Sequence, residues 1–563
     1  MSAVLTYSSR TCQLSSKDIA VAIAGSALIA HLLFKRYETY SIAAHFFLLI
    51  TPPAVGVILL KNQSALLNAI VISFTSYLSA LTLSVVLYRL SPFHPLAKYP
   101  GPVINKISKL WMAWLARTGK QHLYTQQLHD YYGDVVRTGP NELFIRDVSA
   151  ITPIMGVNGL PKGPHWIGRA LNTSVQNLVS LRDLNEHAVR RKIWNRAFSS
   201  AALKGYEEII AKRAAQFVEG LEVQDSEVDL SKWFGWFTYD FMSDMAFGGG
   251  SEMMRDGDGD SIWHLLETGM IPSFSFGHVP WLGVYVGKIP MVAGTLKQFI
   301  IFGRKRTEER IKNGSLSRDL FHYLNNEDGA EKTQPSMMQL LSDGILAIVA
   351  GSDTTSGVLS ALFLCLLSNP EAYKRLQAEI DKYYPPEENA LDTKHHVDMA
   401  FLNAVINETM RLYPAVPSGS QRRVPKGSGG RTAGTYFIPE GTNVSIHFYS
   451  VHRDPRNFYP FPDSFWPDRW LIAAGQEEFK ASGETFVHNA AAFIPFSFGP
   501  ANCVGKGLAL QEMRMLVCLI MQRLEMRFPE GWEPRTYEDG LTDHFVMMGP
   551  ALPVVVKRRS QVI

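Results

Sequence analysis

Three runs in the first ninety residues are too apolar for a water-exposed surface, and they divide the chain before anything else does. Residues 19–34, 42–60 and 65–87 hold no Asp, Glu, Lys or Arg. A helix needs about 20 apolar residues to cross a bilayer. The third run is long enough, the second contains Pro52-Pro53, and the first is short. Lys35 and Arg36 separate the first two runs, Lys61 alone separates the second and third, and Arg89, Lys98, Lys106 and Lys109 follow. The positive-inside rule then favours three crossings, with the N-terminus luminal and the large remainder cytosolic. One to three transmembrane helices are expected in 1–90. A cleaved signal peptide fits less well: no small-residue cleavage site is obvious, and two more apolar runs follow the first.

Prolines 92, 95, 100 and 102 crowd the next stretch. They fix φ and remove donors, so 91–102 is expected as a stiff, extended hinge before a catalytic domain at 103–563. That domain is mostly helical in pattern, with helices expected over 107–132, 184–198, 201–219, 228–247, 293–312, 336–368, 370–384, 399–412 and 505–524. Period-two segments are few (135–138 with 143–145, 436–438 with 443–447, and 554–557). The fold class is therefore mainly α with a minor β region. Residues 270–286 are apolar and aromatic without clean periodicity, which suits either core or a lipid-dipping loop.

Composition narrows function by exclusion. Fifty-five basic against 52 acidic residues leave no charge excess to attract nucleic acid. Four cysteines (Cys12, Cys365, Cys503, Cys518) show neither zinc-finger nor disulfide spacing, as in a reduced compartment. Cys365 and Cys518 lie in apolar helical runs and read as inert core thiols.

Cys503 is different. It sits in the pattern F-x-x-G-x-x-x-C-x-G, with Phe496, Gly499 and Gly505 at the fixed places. Glycines let backbone N–H groups turn toward the sulfur, the aromatic covers it, and the following helix N-terminus stabilises negative charge. Such a loop suits a thiolate beneath a flat cofactor, and haem iron takes that ligand. The plain alternative is a buried free cysteine opening a core helix.

Two other groups gain meaning beside it. Ala350-Gly351-Ser352-Asp353-Thr354-Thr355 interrupts a long apolar helix with poor helix formers. A glycine there thins the helix for a ligand, and an acid next to a hydroxyl suits proton delivery; a kinked helix with self-satisfied hydroxyls is the bland reading. Glu408 and Arg411 share a helical face amid apolar neighbours, and Arg469 is a candidate second cation for a structural network.

Together, Ala350–Thr355, Glu408-x-x-Arg411, Pro467-Asp468-Arg469-Trp470 and the Cys503 loop resemble the cytochrome P450 family of haem-thiolate monooxygenases over about residues 95–558. The apolar N-terminus resembles membrane-bound fungal members. The resemblance implies haem b (iron protoporphyrin IX) with Cys503 as axial ligand and Phe496 packed beside it. It implies Asp353 and Thr354 as the catalytic pair managing protons, and Glu408, Arg411 and Arg469 as braces. It also implies His187, Arg191 and Arg423 as partners of the haem propionates, with Arg422 the rival of Arg423. Ala501 stands where the cysteine loop usually has Arg or His, and His187 where Trp is usual, so compensation is expected elsewhere.

The implied activity is insertion of one oxygen atom from O2 into a lipophilic small molecule such as a terpenoid. Electrons would come from a separate NADPH-cytochrome P450 reductase at the endoplasmic reticulum membrane, docking on Lys192, Arg196 and Lys506. Segments 158–183, 270–286, 415–420 and 545–548 are the implied pocket walls. Two alternatives stand beside this: a haem-thiolate isomerase or dehydratase acting on a peroxide, and a non-enzymatic membrane haem protein.

Overall fold

The computed structural model describes residues 15–559 except 171–175, 225, 260, 290–293, 315–317 and 481–484. Cys12 and part of the expected wall 158–183 thus lie outside the described residues. The chain divides into two compact units, Met1–Lys98 and Tyr99–Ile563, the boundary in sequence falling within the proline-rich stretch.

In the first unit the helices Ser16–Arg36, Thr51–Leu60 and Leu66–Leu90 pack around Ile23, Ala27, Ala30, Ala69 and Tyr77. Small residues permit the close approach: a Cβ on Gly56 would lie 2.2 Å from Ser73 Oγ. Helix Ile42–Leu49 ends just before Pro52-Pro53, whose missing N–H groups leave the Leu48 and Leu49 carbonyls without helical donors. The Tyr77 hydroxyl donates to the Leu48 carbonyl at 2.5 Å, taking up one acceptor at the break. Leu28, Ile29, Leu32, Phe46, Phe47, Leu67, Leu83 and Leu87 remain exposed. Segments Ser16–Arg36, Ile42–Leu60 and Leu66–Leu90 are each long and apolar enough to cross a membrane. Met337–Ser368 also qualifies by length and composition, yet it is mostly buried in protein, where an apolar helix needs no lipid. Residues 91–97 are a series of turns rather than an extended strut: the N–H groups of His94 and Ala97 donate to Ser91 and His94 carbonyls. A fixed φ near −65° suits turns as well as extended chain.

The second unit is built on the central helix Met337–Ser368, capped by Ser336 and packed against the almost wholly buried helix Leu230–Phe247. Phe234 meets Phe363 across that interface, and Phe217 of helix Ser200–Glu222 packs on Phe234 and Phe237. Helix Lys506–Arg523 buries Leu516, Val517 and Ile520 in the same core. The expected helix 107–132 is three helices, Val103–Ile107, Leu110–Thr118 and Gln121–Tyr132. Gly119 ends the second of them at φ +71°, and a Cβ there would meet the Thr542 side chain at 2.4 Å. Segment 270–286 is helical: Ile262–His278 carries Pro272 inside it and Pro280–Val286 follows. Pro272, Ser273, Ser275 and His278 scramble the apolar period that would have announced the helix.

The largest sheet has four strands in the order Val135–Gly139, Glu142–Ile145, Asn443–Ile446, Arg422–Arg423. Glu142–Ile145 runs parallel to Asn443–Ile446, the other neighbours antiparallel. A bridge from Lys162 to Arg422 extends the last edge. Small two-residue strands pair elsewhere, among them Thr542–Asp543 with Met547–Met548. These are too short to leave a period in the sequence.

Candidate functional site

The Cys503 loop is closed by its own backbone. The N–H of Cys503 donates to the Phe496 carbonyl at 2.9 Å, and that of Asn502 to Gly499 at 3.0 Å. Gly499 adopts φ +74°, and a Cβ there would stand 2.0 Å from the Met155 carbonyl oxygen. Ser497 also takes positive φ, +64°, which marks a strained turn held by its surroundings. Burial pushes the Cys503 thiol up, while the N–H groups of Gly505 and Lys506 and the cations Arg191 and Lys506 pull the other way. The residue is exposed by surface area although it lies deep in the fold, so its side chain opens on internal space. Phe496 packs half-buried beside the loop.

The central helix turns one open face outward from an otherwise buried rod. Ala350 is exposed and Thr354 and Gly357 are half-buried, while Ser352, Asp353 and Thr355 are buried. This face recurs at helical spacing and is only partly covered by the described residues. Thr354 Oγ1 donates to the Ala350 carbonyl at 2.7 Å, which leaves its lone pairs toward the open side. Gly351 does not thin the helix for a ligand: a Cβ there would meet Met242 Sδ at 2.5 Å, so this glycine admits the Leu230–Phe247 helix.

A cluster of cations gathers around the edge strand. Lys162, His187 and Arg422 are 6 %, 7 % and 3 % exposed, and their charges act on one another and on Arg191. Burial first, then Arg422 and Arg191, holds Lys162 well below its ordinary value. Burial and these same neighbours push His187 down to about 4, and burial pushes Arg422 down to about 10. Among the described residues no carboxylate forms an ion pair with Lys162, Arg191 or Arg422. Lys162 Nζ donates to the Leu178 carbonyl at 3.0 Å, and Arg422 Nε is buried without a partner. Arg191 spends its donors on the cysteine loop, reaching the Asn502 carbonyl at 2.6 Å and Asn502 Oδ1 at 2.9 Å. Arg423 follows Arg422 on the same strand, so its side chain starts toward the opposite face, away from this cluster. Lys162 is the member that the sequence did not reveal. A lone lysine in a loop carries no signal until the Lys162–Arg422 bridge forms.

Glu408 is the hub of a fully buried network. Arg411 binds it through two nitrogens at 2.9 Å each, and Arg469 Nε adds a bond at 3.0 Å. The Trp466 N–H and the Trp470 indole also donate to it, both at 3.0 Å. The arginines in turn clamp the carbonyls of His452, Pro462, Pro460 and Phe461. Burial pushes the Glu408 carboxyl up, but Arg411, Arg469 and the Trp466 N–H outweigh it and hold it below its ordinary value.

The four expected wall segments converge. Trp166 stacks edge-on to Phe545 with centroids 5.2 Å apart, Phe274 lies 6.3 Å from Phe545, and Trp166 Nε1 donates to Ser420 Oγ at 3.3 Å. The Met547 carbonyl lies 3.0 Å from where a Gly357 Cβ would be, so this hairpin abuts the open face of the central helix. Of the three cations expected to form a docking patch, Lys192 and Lys506 are exposed, but Arg196 is paired with Asp328 and Glu331.

These features coincide with a known pattern. Residues 100–553 match the family model Cytochrome P450. The chain is 36 % identical over 495 residues to Cytochrome P450 monooxygenase FCK2 of Fusarium pseudograminearum, covering 86 % of each. It is 33 % identical to Cytochrome P450 67 of Uromyces fabae, covering 85 % of this chain and 89 % of the relative. It is 30 % identical to Tryprostatin B 6-hydroxylase of Aspergillus fumigatus, covering 86 % and 84 %. The chain belongs to the cytochrome P450 family and is an oxidoreductase of the monooxygenase class. Haem is the cofactor of that family, and the residues present fit it. A sulfur faces internal space, the Gly505 and Lys506 N–H groups favour its charged form, and buried cations with no carboxylate ion pair among the described residues match a dianionic porphyrin.

Proposed function

We propose that this protein hydroxylates a lipophilic secondary metabolite at the endoplasmic reticulum membrane, its catalytic unit facing the cytosol. An NADPH-cytochrome P450 reductase would supply the electrons. The observation that carries the reading is Cys503: it sits in a loop closed by the Phe496 carbonyl, the N–H groups of Gly505 and Lys506 favour its charged form, and its side chain opens on internal space. Cys503 would hold the iron as a thiolate, with Phe496 covering the sulfur from one side. Lys162, His187 and Arg422 would neutralise the propionates, while Arg191 fixes the loop through Asn502. Arg422 replaces Arg423 in this assignment, because Arg422 shares the buried cluster.

Haem, when bound, supplies dioxygen activation and C–H oxidation. The chain's own part is positioning, proton control and exclusion of water. Thr354 stands on the open face of the central helix with Asp353 buried next to it in sequence; the Thr354 hydroxyl is fixed by Ala350 and offers its remaining acceptor capacity to a proton donor. The aromatic wall of Trp166, Phe274 and Phe545 orients an apolar body and keeps bulk water out. A fungal relative whose name is a tryprostatin hydroxylase supports hydroxylation of a secondary metabolite. Three apolar N-terminal helices support the membrane placement. Carbon monoxide added to the reduced holoprotein should give a strongly red-shifted Soret band, and Cys503→Ala should abolish it. A variant that kept the band would overturn the assignment.

A further inference from the structure

Arg169 is anomalous in the aromatic wall. It projects from the short helix His165–Ala170 among Phe545, Trp166 and Phe274, with its guanidinium carbon 4.0, 5.1 and 5.8 Å from their ring centroids. Stacking engages the faces of the guanidinium and leaves its five in-plane N–H donors unused. Among the described residues none of those donors reaches an acceptor, and Nη1 is buried without a partner. A buried cation in that state is costly unless something else pairs with it.

Asp543 is the nearest candidate and does not serve. No ion pair within 4.0 Å joins the two, and the Asp543 carboxylate is taken by Ser418 Oγ at 2.5 Å and the Phe545 N–H at 3.0 Å. Burial pushes Asp543 up to about 6, with Arg169 only the last of the influences lowering it. Burial likewise pushes Arg169 down to about 9, against a partial offset from Asp543. His165 and His278, the other titratable neighbours, are held neutral by burial first and then by Arg169 and Lys109. Arg169 is half-buried by surface area yet deep in the fold, which places its free edge on internal space. Phe545 links it to the hairpin that abuts Gly357, one turn beyond Thr354.

We propose that Arg169 anchors an oxyanion of the substrate, a carboxylate or phosphate, so that the natural substrate is an apolar body carrying one acidic group. This rests on the haem-thiolate reading above and deepens it from a lipophilic molecule to an amphiphilic anion. The aromatic rings fix the guanidinium plane, and the anion completes it in the bidentate manner.

Holoprotein would be titrated with ω-(imidazol-1-yl)alkanoic acids of 8 to 12 carbons and with their methyl esters, following the azole-induced Soret shift. The imidazole ties every probe to the iron, so the acid-to-ester affinity ratio reports on the far end alone. The expected ratio reaches about tenfold or more at the best chain length. It should fall below about threefold in Arg169→Gln and be partly kept in Arg169→Lys. No acid preference at any length, or a preference undiminished in Arg169→Gln, would overturn the proposal. Each variant is first required to give the red-shifted carbon monoxide band. Loss of that band in the unaltered protein would instead sink the haem-thiolate reading.

Discussion

At the scale of single residues, chemistry was most legible where a motif has fixed spacing. Cys503, Phe496 and Gly499 announce a loop because each residue type answers a local need: in the proposed site a sulfur ligand and its cover, and in the backbone a positive φ at Gly499. Lys162 and Arg169 are the opposite case. Each is a cation made special by burial and by forming no ion pair among the described residues, conditions that depend on segments far away in sequence. In the proposed haem site Lys162 would offer the compensation expected for Ala501, since it is buried beside Arg422 and His187 with two ammonium protons beyond the one given to Leu178. We therefore expect Lys162→Met to speed haem loss to apomyoglobin by about tenfold. Arg423→Leu should change it much less, and equal effects from the two variants would remove Lys162 from this role.

At the scale of elements, helices with intact periodicity were legible to within a residue or two. Segments 184–198, 336–368 and 399–412 correspond to Leu184–Ala197, Met337–Ser368 and Ala400–Leu412. Failures came where an internal residue breaks the pattern, as Gly119 and Pro272 do, or where a strand is too short to have a period. Glycines illustrate why the element alone cannot decide. Gly205 lies in helix Ser200–Glu222 with nothing near its Cβ position, whereas Gly499 faces the Met155 carbonyl at positive φ. Gly205→Ala should raise stability by about 0.5–1 kcal/mol, the ordinary helix effect. Gly499→Ala should lower it by more than that, because backbone must move. Paired thermal melts of the two variants would check the opposite signs.

At the scale of the whole molecule, burial of weak bases sets the response to acid. Burial above all pushes His122 and His452 down to about 3 and His129 to about 4, and holds His447 well below its ordinary value. These groups are neutral when folded but take protons near pH 6.5 when unfolded. Their stability contribution is therefore full above about pH 6.5 and is lost as pH falls toward the folded values. Glu408, held below its ordinary value, adds a loss in the same direction below the usual glutamate range, about 4.3. Urea melts should show stability declining steadily from about pH 6.5 to 4; a flat profile would contradict the buried-neutral assignment. The sequence alone determined the division into an apolar N-terminal region and a helical unit, and it determined the Cys503 loop, because these depend on composition and spacing within short windows. Only the tertiary structure decided that Arg422 rather than Arg423 joins the cationic cluster, that Gly351 serves helix packing, and that no acceptor among the described residues meets Arg169. Each of those outcomes turns on what approaches a side chain across hundreds of residues, and desolvation there sets the energy of a charge more strongly than its neighbours in sequence do.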